Sequence, residues 1–110
     1  MQPGYVPVFS TGNHDTVRAV TRLGKMIAEK QGLGTNPDPE IVSRLGQEAA
    51  RTMAMMVLTL PGAPLLYCGD EIGLENVDIP PELVKDPFEK NVPGQGHGRD
   101  GQRTPIPWDS

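Results

Sequence analysis

The sequence predicts an α/β fold that contains one strand–helix–strand unit. Two short apolar runs, residues 6–10 and residues 64–67, each end in a cluster of small and polar residues, as strands do in such folds. Between them lies a longer stretch, residues 39–60, whose apolar side chains recur at helical spacing. Because a helical crossover joins parallel neighbours, we expect the two strands to be parallel and adjacent.

The first half of the chain is expected to hold a strand, a short helix and a linker. Residues 6–10 lack an alternating pattern, which predicts a strand buried on both faces. Residues 16–23 predict a short helix that ends at Gly24, in the usual position of a C-cap glycine. Residues 32–39 contain four Gly or Pro residues and are therefore expected to form a linker.

The strongest helix prediction covers residues 39–60. Asp38 can cap the N-terminus, and Pro39 suits the first helical position. One apolar face runs along the helix. Its members are Ile41, Leu45, Ala49, Met53, Met56, Val57 and Leu60. The methionines on and beside this face, Met53, Met55 and Met56, are interpreted as helix core.

The second half of the chain is expected to be a strand followed by a loop. The strand at 64–67 leads into two carboxylates, Asp70 and Glu71. Residues 74–110 are rich in Gly and Pro, which predicts loop with at most one helical turn, at 81–85. The chain therefore divides into a strand–helix–strand part, residues 1–73, and a loop part, residues 74–110.

Composition excludes several classes of partner. The net charge of −4 argues against a nucleic-acid surface, which needs clustered Lys and Arg. No apolar run approaches the ~18 residues of a transmembrane helix, and no secretory signal is visible, so we expect no membrane partner and a cytoplasmic location. The single Cys68 excludes an internal disulfide.

A polar cluster follows the first predicted strand directly. Asn13, His14 and Asp15 lie between that strand and the next helix, where α/β folds place binding and catalytic groups. Two other interpretations remain open for this cluster. Asp15 could cap the following helix. Alternatively, His14 and Asp15 could bind a metal, but such sites need three or four ligands and His97 is the only other histidine, so no metal is expected.

Three motifs resemble the α-amylase superfamily of glycoside hydrolases. Residues 9–18 are similar to its fourth conserved region, through Phe9, Asn13, His14, Asp15 and Arg18. Residues 61–74, PGAPLLYCGDEIGL, resemble the end of the seventh helix and the eighth strand. Residues 98–109, GRDGQRTPIPWD, resemble the loop after the eighth strand in the α-glucosidase and oligo-1,6-glucosidase branch. The resemblance implies a C-terminal fragment of a (β/α)8 TIM barrel, since a whole barrel takes about 250 residues.

The resemblance also implies roles for the residues of the first motif. Asp15 is the expected catalytic carboxylate that stabilises the oxocarbenium-like transition state. His14 and Asn13 are expected to bind the same sugar. Arg18 is expected either to pair with a carboxylate near the site and assist binding, or to lie on an exposed helix face.

The third motif carries further candidates. Arg103 is implied to help close the substrate pocket, and Arg99 competes with it for that role. Asp70 and Glu71 are adjacent on a predicted strand and point to opposite faces, so they are expected to anchor a loop rather than flank one bond. Trp108 is interpreted as a packed anchor of the loop rather than a sugar platform.

The function implied is that of a retaining α-glucosidase-like hydrolase acting on α-glucosidic bonds of small oligosaccharides or disaccharides, without a cofactor. Its nucleophile and its acid/base would come from the fourth and fifth strands of the barrel, which this chain lacks. The 110-residue chain therefore needs the rest of the barrel and is expected to be inactive alone. The alternatives are a trehalose synthase-like or sucrose isomerase-like enzyme or an amylase of the same superfamily, or a non-catalytic truncated fragment.

Overall fold

The computed structural model describes residues 4–95 and 98–108. Its elements are β1 (Val8–Ser10), α1 (Ala19–Lys30), α2 (Pro39–Thr59), β2 (Ala63–Leu65) and α3 (Pro87–Asn91), with 3₁₀ turns at Asp70–Ile72, Pro81–Leu83 and Asp100–Gln102. Within those ranges no helix is both long enough and apolar enough to cross a membrane.

The two strands form a parallel pair, as the sequence predicts. Val8 is paired with Ala63 and Ser10 with Leu65. Both strands are shorter than predicted, and the second begins one residue earlier. The predicted burial of the first strand on both faces is wrong for the described chain, since Val8 is 64% exposed. Helices α1 and α2 pack mainly against each other and not against β1.

Helix α2 agrees with the prediction to within one residue. The side chain of Asp38 accepts a hydrogen bond of 3.0 Å from the backbone N–H of Glu40, and Pro39 occupies the first turn. Leu60 is extended, because the ring of Pro61 disfavours the helical conformation for the residue that precedes it. The cap and the stop are local properties of the sequence, which is why both ends could be predicted.

The buried face of α2 differs from the predicted one. Gly46 and Val57 are its buried residues, whereas Met55 and Met56 are more than half exposed. The interpretation as helix core is therefore wrong for Met55 and Met56, whereas Met53 is partly buried. The reason is that α1 packs against the side of α2 that carries the glycine and small residues.

Helix α1 corrects the prediction of a short helix at 16–23. It begins at Ala19 and continues to Lys30, so that Gly24 lies in its middle instead of capping its end. An added Cβ at Gly24 would lie 2.1 Å from the carbonyl oxygen of Val42 in α2, and one at Gly46 would lie 2.1 Å from that of Val20 in α1. Each helix therefore presents a glycine to the backbone of the other. This close crossing offsets the helix-interior cost of glycine, about 1 kcal/mol.

The segment after β2 is mostly loop, as predicted, with one turn at Pro81–Leu83 inside the expected range 81–85. It also contains the short helix α3, which the prediction missed. Asp86 caps α3 by accepting a hydrogen bond of 3.0 Å from the backbone N–H of Phe88, with Pro87 in the first turn. This is the same Asp-Pro start that identifies α2.

The helix crossing can be tested by adding a methyl group. Gly46→Ala in the full-length protein is expected to lower the free energy of unfolding by about 1–3 kcal/mol, because the helices must separate to admit it. Alanine's better helix propensity opposes this effect by at most about 1 kcal/mol. The midpoint of denaturant unfolding measures it. Gly12→Ala is the control, since its Cβ would meet nothing closer than 3.8 Å; an equal shift for both variants would contradict the close crossing.

The exposed apolar surface also predicts that residues 1–110 are marginally stable alone. Side chains on the strand pair and on α2 are more than half exposed, and a two-stranded sheet is itself marginal in water. They include Val8, Leu65, Met55, Met56 and Leu58. Unfolding of the isolated chain in denaturant, followed by circular dichroism, is expected to give a stability below roughly 5 kcal/mol. A cooperative transition above that figure would refute this prediction.

Candidate active site

The loop between β1 and α1 presents Asp15 to solvent. The side-chain oxygen Oδ1 of Asn13 accepts a hydrogen bond of 2.9 Å from the backbone N–H of Asp15, which fixes a turn. The side chains of His14 and Asp15 are 65% and 53% exposed. Asn13 thus orients the loop, and the two residues after it are open to a ligand.

Two guanidinium groups converge on Asp15. Its Oδ1 accepts hydrogen bonds from Nη1 of Arg99 at 3.1 Å and from Nη2 of Arg103 at 2.8 Å. Its Oδ2 lies 3.4 Å from Nε2 of His14, and Nε of Arg103 donates to the backbone oxygen of His14 at 2.9 Å. The structure therefore brings Asp15, His14 and Arg103 together, and it adds Arg99.

The capping interpretation of Asp15 is wrong. Helix α1 begins at Ala19 with Arg18 as its N-cap residue, and Asp15 accepts no hydrogen bond from the first turn of α1. The carboxylate of Asp15 is instead engaged by side chains from residues 99 and 103, more than 80 positions away in sequence. A local pattern therefore marks Asp15 as a candidate but does not identify its partners.

Asp86 is a site residue that sequence reasoning missed. Its carboxylate accepts hydrogen bonds from Nε of Arg99 at 2.7 Å, from Nη2 at 3.1 Å and from the backbone N–H of Arg99 at 2.9 Å. Its side chain is only 1% exposed. The ring of Phe88 lies 5.6 Å from the guanidinium carbon of Arg99. The signal available in the sequence was the Asp-Pro helix start at residues 86–87.

The charges of this group are mutually stabilised. The hydrogen bond from Arg99 is the main cause that lowers the pKa of Asp15, opposed by desolvation and assisted by the charge of His14. Arg99 also holds the pKa of Asp86 well below its ordinary value, and the two carboxylates together raise the pKa of Arg99. Asp15, Asp86, Arg99 and Arg103 are therefore all ionised at neutral pH. Two positive and two negative side chains give this quartet no net charge.

Arg18 lies outside the quartet. It is 2% exposed, its Nη1 donates to the backbone oxygen of Cys68 at 3.0 Å, and its guanidinium carbon lies 5.0 Å from the centre of the Tyr67 ring. Among the described residues it pairs with no carboxylate. Both expectations for Arg18, a carboxylate partner or an exposed helix face, are therefore wrong. Its contacts instead join the ends of the two strands.

Two side chains, those of Asn76 and Tyr67, anchor the loop that carries Arg99 and Arg103. Asn76 accepts from the backbone N–H of Arg18 at 2.7 Å and donates through Nδ2 to Gln102 at 3.1 Å. The hydroxyl of Tyr67 donates to the backbone oxygen of Gln102 at 3.1 Å. The loop is therefore fixed, immediately beside Arg103, to the N-terminus of α1 through Asn76 and to the segment after β2 through Tyr67.

Glu71 anchors local backbone and Asp70 contacts the loop after β1, which agrees with the predicted loop-anchoring role, but both residues lie in the 3₁₀ turn Asp70–Ile72 and not on a strand. Glu71 accepts a hydrogen bond of 2.8 Å from the backbone N–H of Gly69, and Asp70 accepts one of 3.4 Å from the Thr11 hydroxyl. The interpretation of Trp108 as a packed anchor is wrong for the described chain, since its side chain is 90% exposed.

The described residues contain no group of three His, Cys, Asp or Glu side chains that could hold a metal ion. His97, which the metal interpretation needs, lies outside those residues. A cavity of about 660 Å³ lies beside the quartet and is lined by residues between 76 and 101. Asp15 is not among its lining residues, and the Asp15 side chain is about half exposed.

An exposed carboxylate in the loop that follows a parallel strand occupies the position where β/α-barrel folds place functional groups. The chain belongs to the α-amylase family, since the model of the alpha amylase catalytic domain matches residues 1–110. Asp15, Arg99 and Arg103 lie in the motifs that carry the resemblance, whereas Asp86 lies between the second motif and the third.

Individual relatives agree with this family. An alpha-glucosidase of Apis mellifera is 33% identical over 112 residues, which cover 99% of this chain and 16% of that protein. A 4-alpha-glucanotransferase of Thermotoga neapolitana is 33% identical over 86 residues, which cover 76% of this chain and 15% of that protein. The crystal structure of an alpha-glucosyl transfer enzyme, XgtA, matches with a TM-score of 0.67 and 34% identity, covering 94% of this chain and 16% of that one. The chain thus spans about a sixth of the length of these relatives.

The ion pairs of Arg99 predict how stability depends on pH. The pKa values of Asp15 and Asp86 are lowered from 3.8 on folding, so their contribution is fully present above that value and is lost as pH falls through the folded-state values. Arg99→Gln in the full-length protein is therefore expected to lower the denaturant midpoint at neutral pH and to make its decline in acid shallower.

The matched control for this prediction is Arg44→Gln. Arg44 is exposed on α2 and forms no ion pair with the described residues. It is expected to leave both the neutral midpoint and the acid decline nearly unchanged. An acid decline in Arg99→Gln as steep as in the parent protein would contradict the assignment.

Proposed function

We propose that the full-length protein is a retaining α-glucosidase-like glycoside hydrolase that acts on α-glucosidic bonds of small oligosaccharides or disaccharides. The observation that carries this proposal is the exposed Asp15 carboxylate at the end of a parallel strand, bound by Arg99 and Arg103. The family match and the alpha-glucosidase relative support it.

In this proposal residues 1–73 supply the seventh strand, the seventh helix and the eighth strand of the barrel. Residues 74–110 form the loop after the eighth strand. The parallel pairing of β1 with β2, with α2 in the connection between them, supports that order. Both strands would then point their carboxyl ends toward the face where barrel enzymes bind substrate.

Asp15 would act by its charge. Hydrolysis with retention passes through transition states in which positive charge develops on the sugar ring. An ionised carboxylate stabilises that charge and can also accept hydrogen bonds from ring hydroxyls. The lowered pKa of Asp15 keeps this carboxylate ionised, which suits the role.

The neighbouring side chains would bind the same sugar. His14 is 65% exposed and Arg103 is 35% exposed, so both can reach a ligand beside Asp15. Asn13 would contribute by holding the turn that presents Asp15. Arg18 is buried, and we therefore assign it to the support of the strand ends and not to substrate.

The second candidate is transfer of the glucosyl group to another sugar. The likeness to a 4-alpha-glucanotransferase and to an alpha-glucosyl transfer enzyme favours it. Hydrolysis and transfer share the covalent intermediate and differ in whether water or a sugar intercepts it. Incubation of the full-length protein with maltose separates them: glucose alone indicates hydrolysis, and longer or isomeric saccharides indicate transfer.

The chain by itself is proposed to be inactive. The nucleophile and the acid/base that a retaining mechanism needs would come from the fourth and fifth strands. Asp70 and Glu71 are occupied with backbone and hydroxyl donors, so they do not supply the pair. Release of glucose by residues 1–110 above a protein-free blank would contradict this.

The role of Asp15 predicts the effect of Asp15→Asn in the full-length protein. The substitution removes the charge with little change in shape, so turnover of an aryl α-glucoside is expected to fall on the order of 10²–10³-fold. Asp78→Asn is the control, since Asp78 is exposed and distant in sequence from the first motif. A normal rate for Asp15→Asn, with the same fold by circular dichroism, would remove Asp15 from catalysis and with it the proposed function.

A further inference from the structure

The quartet divides into an exposed half and a buried half. Asp15 and Arg103 have side chains that are 53% and 35% exposed, and both face solvent. Asp86 is 1% exposed, and Arg99, at 30%, connects it to Asp15. Asp86 therefore cannot touch a substrate, but it contacts the group that touches Asp15.

The geometry divides the donors of Arg99 between the two carboxylates. Nε and Nη2 are bound by the two oxygens of Asp86, which forms the two-point contact that a guanidinium fork favours. Only Nη1 reaches Asp15. Asp86 thus restricts Arg99 to one hydrogen bond with Asp15 and prevents a two-point pair that would occupy both of its oxygens.

Charge gives a second reason for Asp86. Asp15 with Arg99 and Arg103 alone would carry a net charge of +1, from one carboxylate and two guanidinium groups. A positive cluster would oppose the positive charge that develops on the sugar. Asp86 brings the sum to zero, and because it is buried its charge is weakly screened by solvent.

We propose that Asp86 is a positioning residue for catalysis, which holds Arg99 and cancels its charge so that Asp15 remains an effective anion toward the substrate. The inference rests on the proposed function of Asp15. The residue acts through Arg99 and at no point contacts the sugar. Asp86 lies in the segment after β2, whereas Asp15 lies in the loop after β1. The segment after β2 would therefore supply one of the charges that act on Asp15.

The test compares Asp86→Asn, Arg99→Gln and the double variant in the full-length protein. Asparagine keeps the cap of α3 because it is a good N-cap residue, but it leaves the cluster with a net positive charge. For Asp86→Asn we expect kcat on an aryl α-glucoside to fall on the order of 10²-fold, a size typical of a misplaced catalytic group, with a smaller change in KM. The double variant is expected to be no worse than Arg99→Gln alone, since Asp86 acts only through Arg99.

Asp100→Asn is the matched control. Asp100 holds the same loop by accepting backbone hydrogen bonds from Lys85 at 2.8 Å and Asp86 at 2.9 Å, yet it is not a partner of Arg99. The amide oxygen of asparagine can accept the same bonds, so its kcat should stay near that of the parent. An equal loss of kcat in both Asn variants would indicate general loosening of the loop and overturn the proposal.

Two further results decide the outcome. Losses that add in the double variant would mean that Asp86 and Arg99 act independently, which overturns the proposal. If Asp86→Asn misfolds, Asp86→Glu and Arg99→Gln extend the series. In that series Asp86→Glu retains the charge and is expected to keep more activity than Asp86→Asn. If Asp15→Asn loses turnover while Asp86→Asn keeps it, this inference alone is refuted. If Asp15→Asn keeps normal turnover, the proposed function is refuted.

Discussion

The buried guanidinium of Arg18 is the contact on which the arrangement of the site depends. It lies at the start of α1 and joins the end of β2 through the Cys68 carbonyl and the Tyr67 ring. Its backbone N–H binds Asn76, which in turn holds Gln102. A buried charge is costly unless its donors are satisfied. The carbonyl and the ring face satisfy part of that requirement, and they thereby fix the loop after β1 against the loop after β2.

The parts of the fold that could be predicted are those whose causes are local. The Asp-Pro start of α2 and the Pro-Gly stop after it lie within the segment itself. The parallel strand pair follows from connectivity. The continuation of α1 through Gly24 could not be predicted, because the reason lies in Val42, 18 positions further on in another helix. The same crossing buries the side of α2 that carries Gly46 and leaves Met55 and Met56 exposed.

The site residues also divide into those that the local sequence indicates and those that only tertiary contacts reveal. Asp15 and His14 stand out in the sequence because a polar cluster follows an apolar run, and the motif resemblance adds Arg103. The contact of Arg99 with Asp15 spans 84 positions, and no periodic pattern records such a pair. Asp86 is a different case. Its capping role is visible as an Asp-Pro dipeptide, but its hold on Arg99 depends on how the loop folds back across 13 positions. Local sequence therefore explains only the cap, and the tertiary structure identifies Arg99 as the partner of Asp86.

The hydrogen bonds already made by Asp15 limit how a sugar can bind there. An ionised carboxylate offers about four acceptor positions, two on each oxygen. Oδ1 is occupied by Arg99 and Arg103, whereas Oδ2 has only His14 at 3.4 Å. A first hydroxyl can therefore bind Oδ2 without displacing a protein donor, and a hydroxyl on Oδ1 requires one arginine to leave. Because both oxygens of Asp86 bind the guanidinium of Arg99, the proposed function implies that the donor that leaves would be Arg103, whose side chain would then be free to bind the sugar itself.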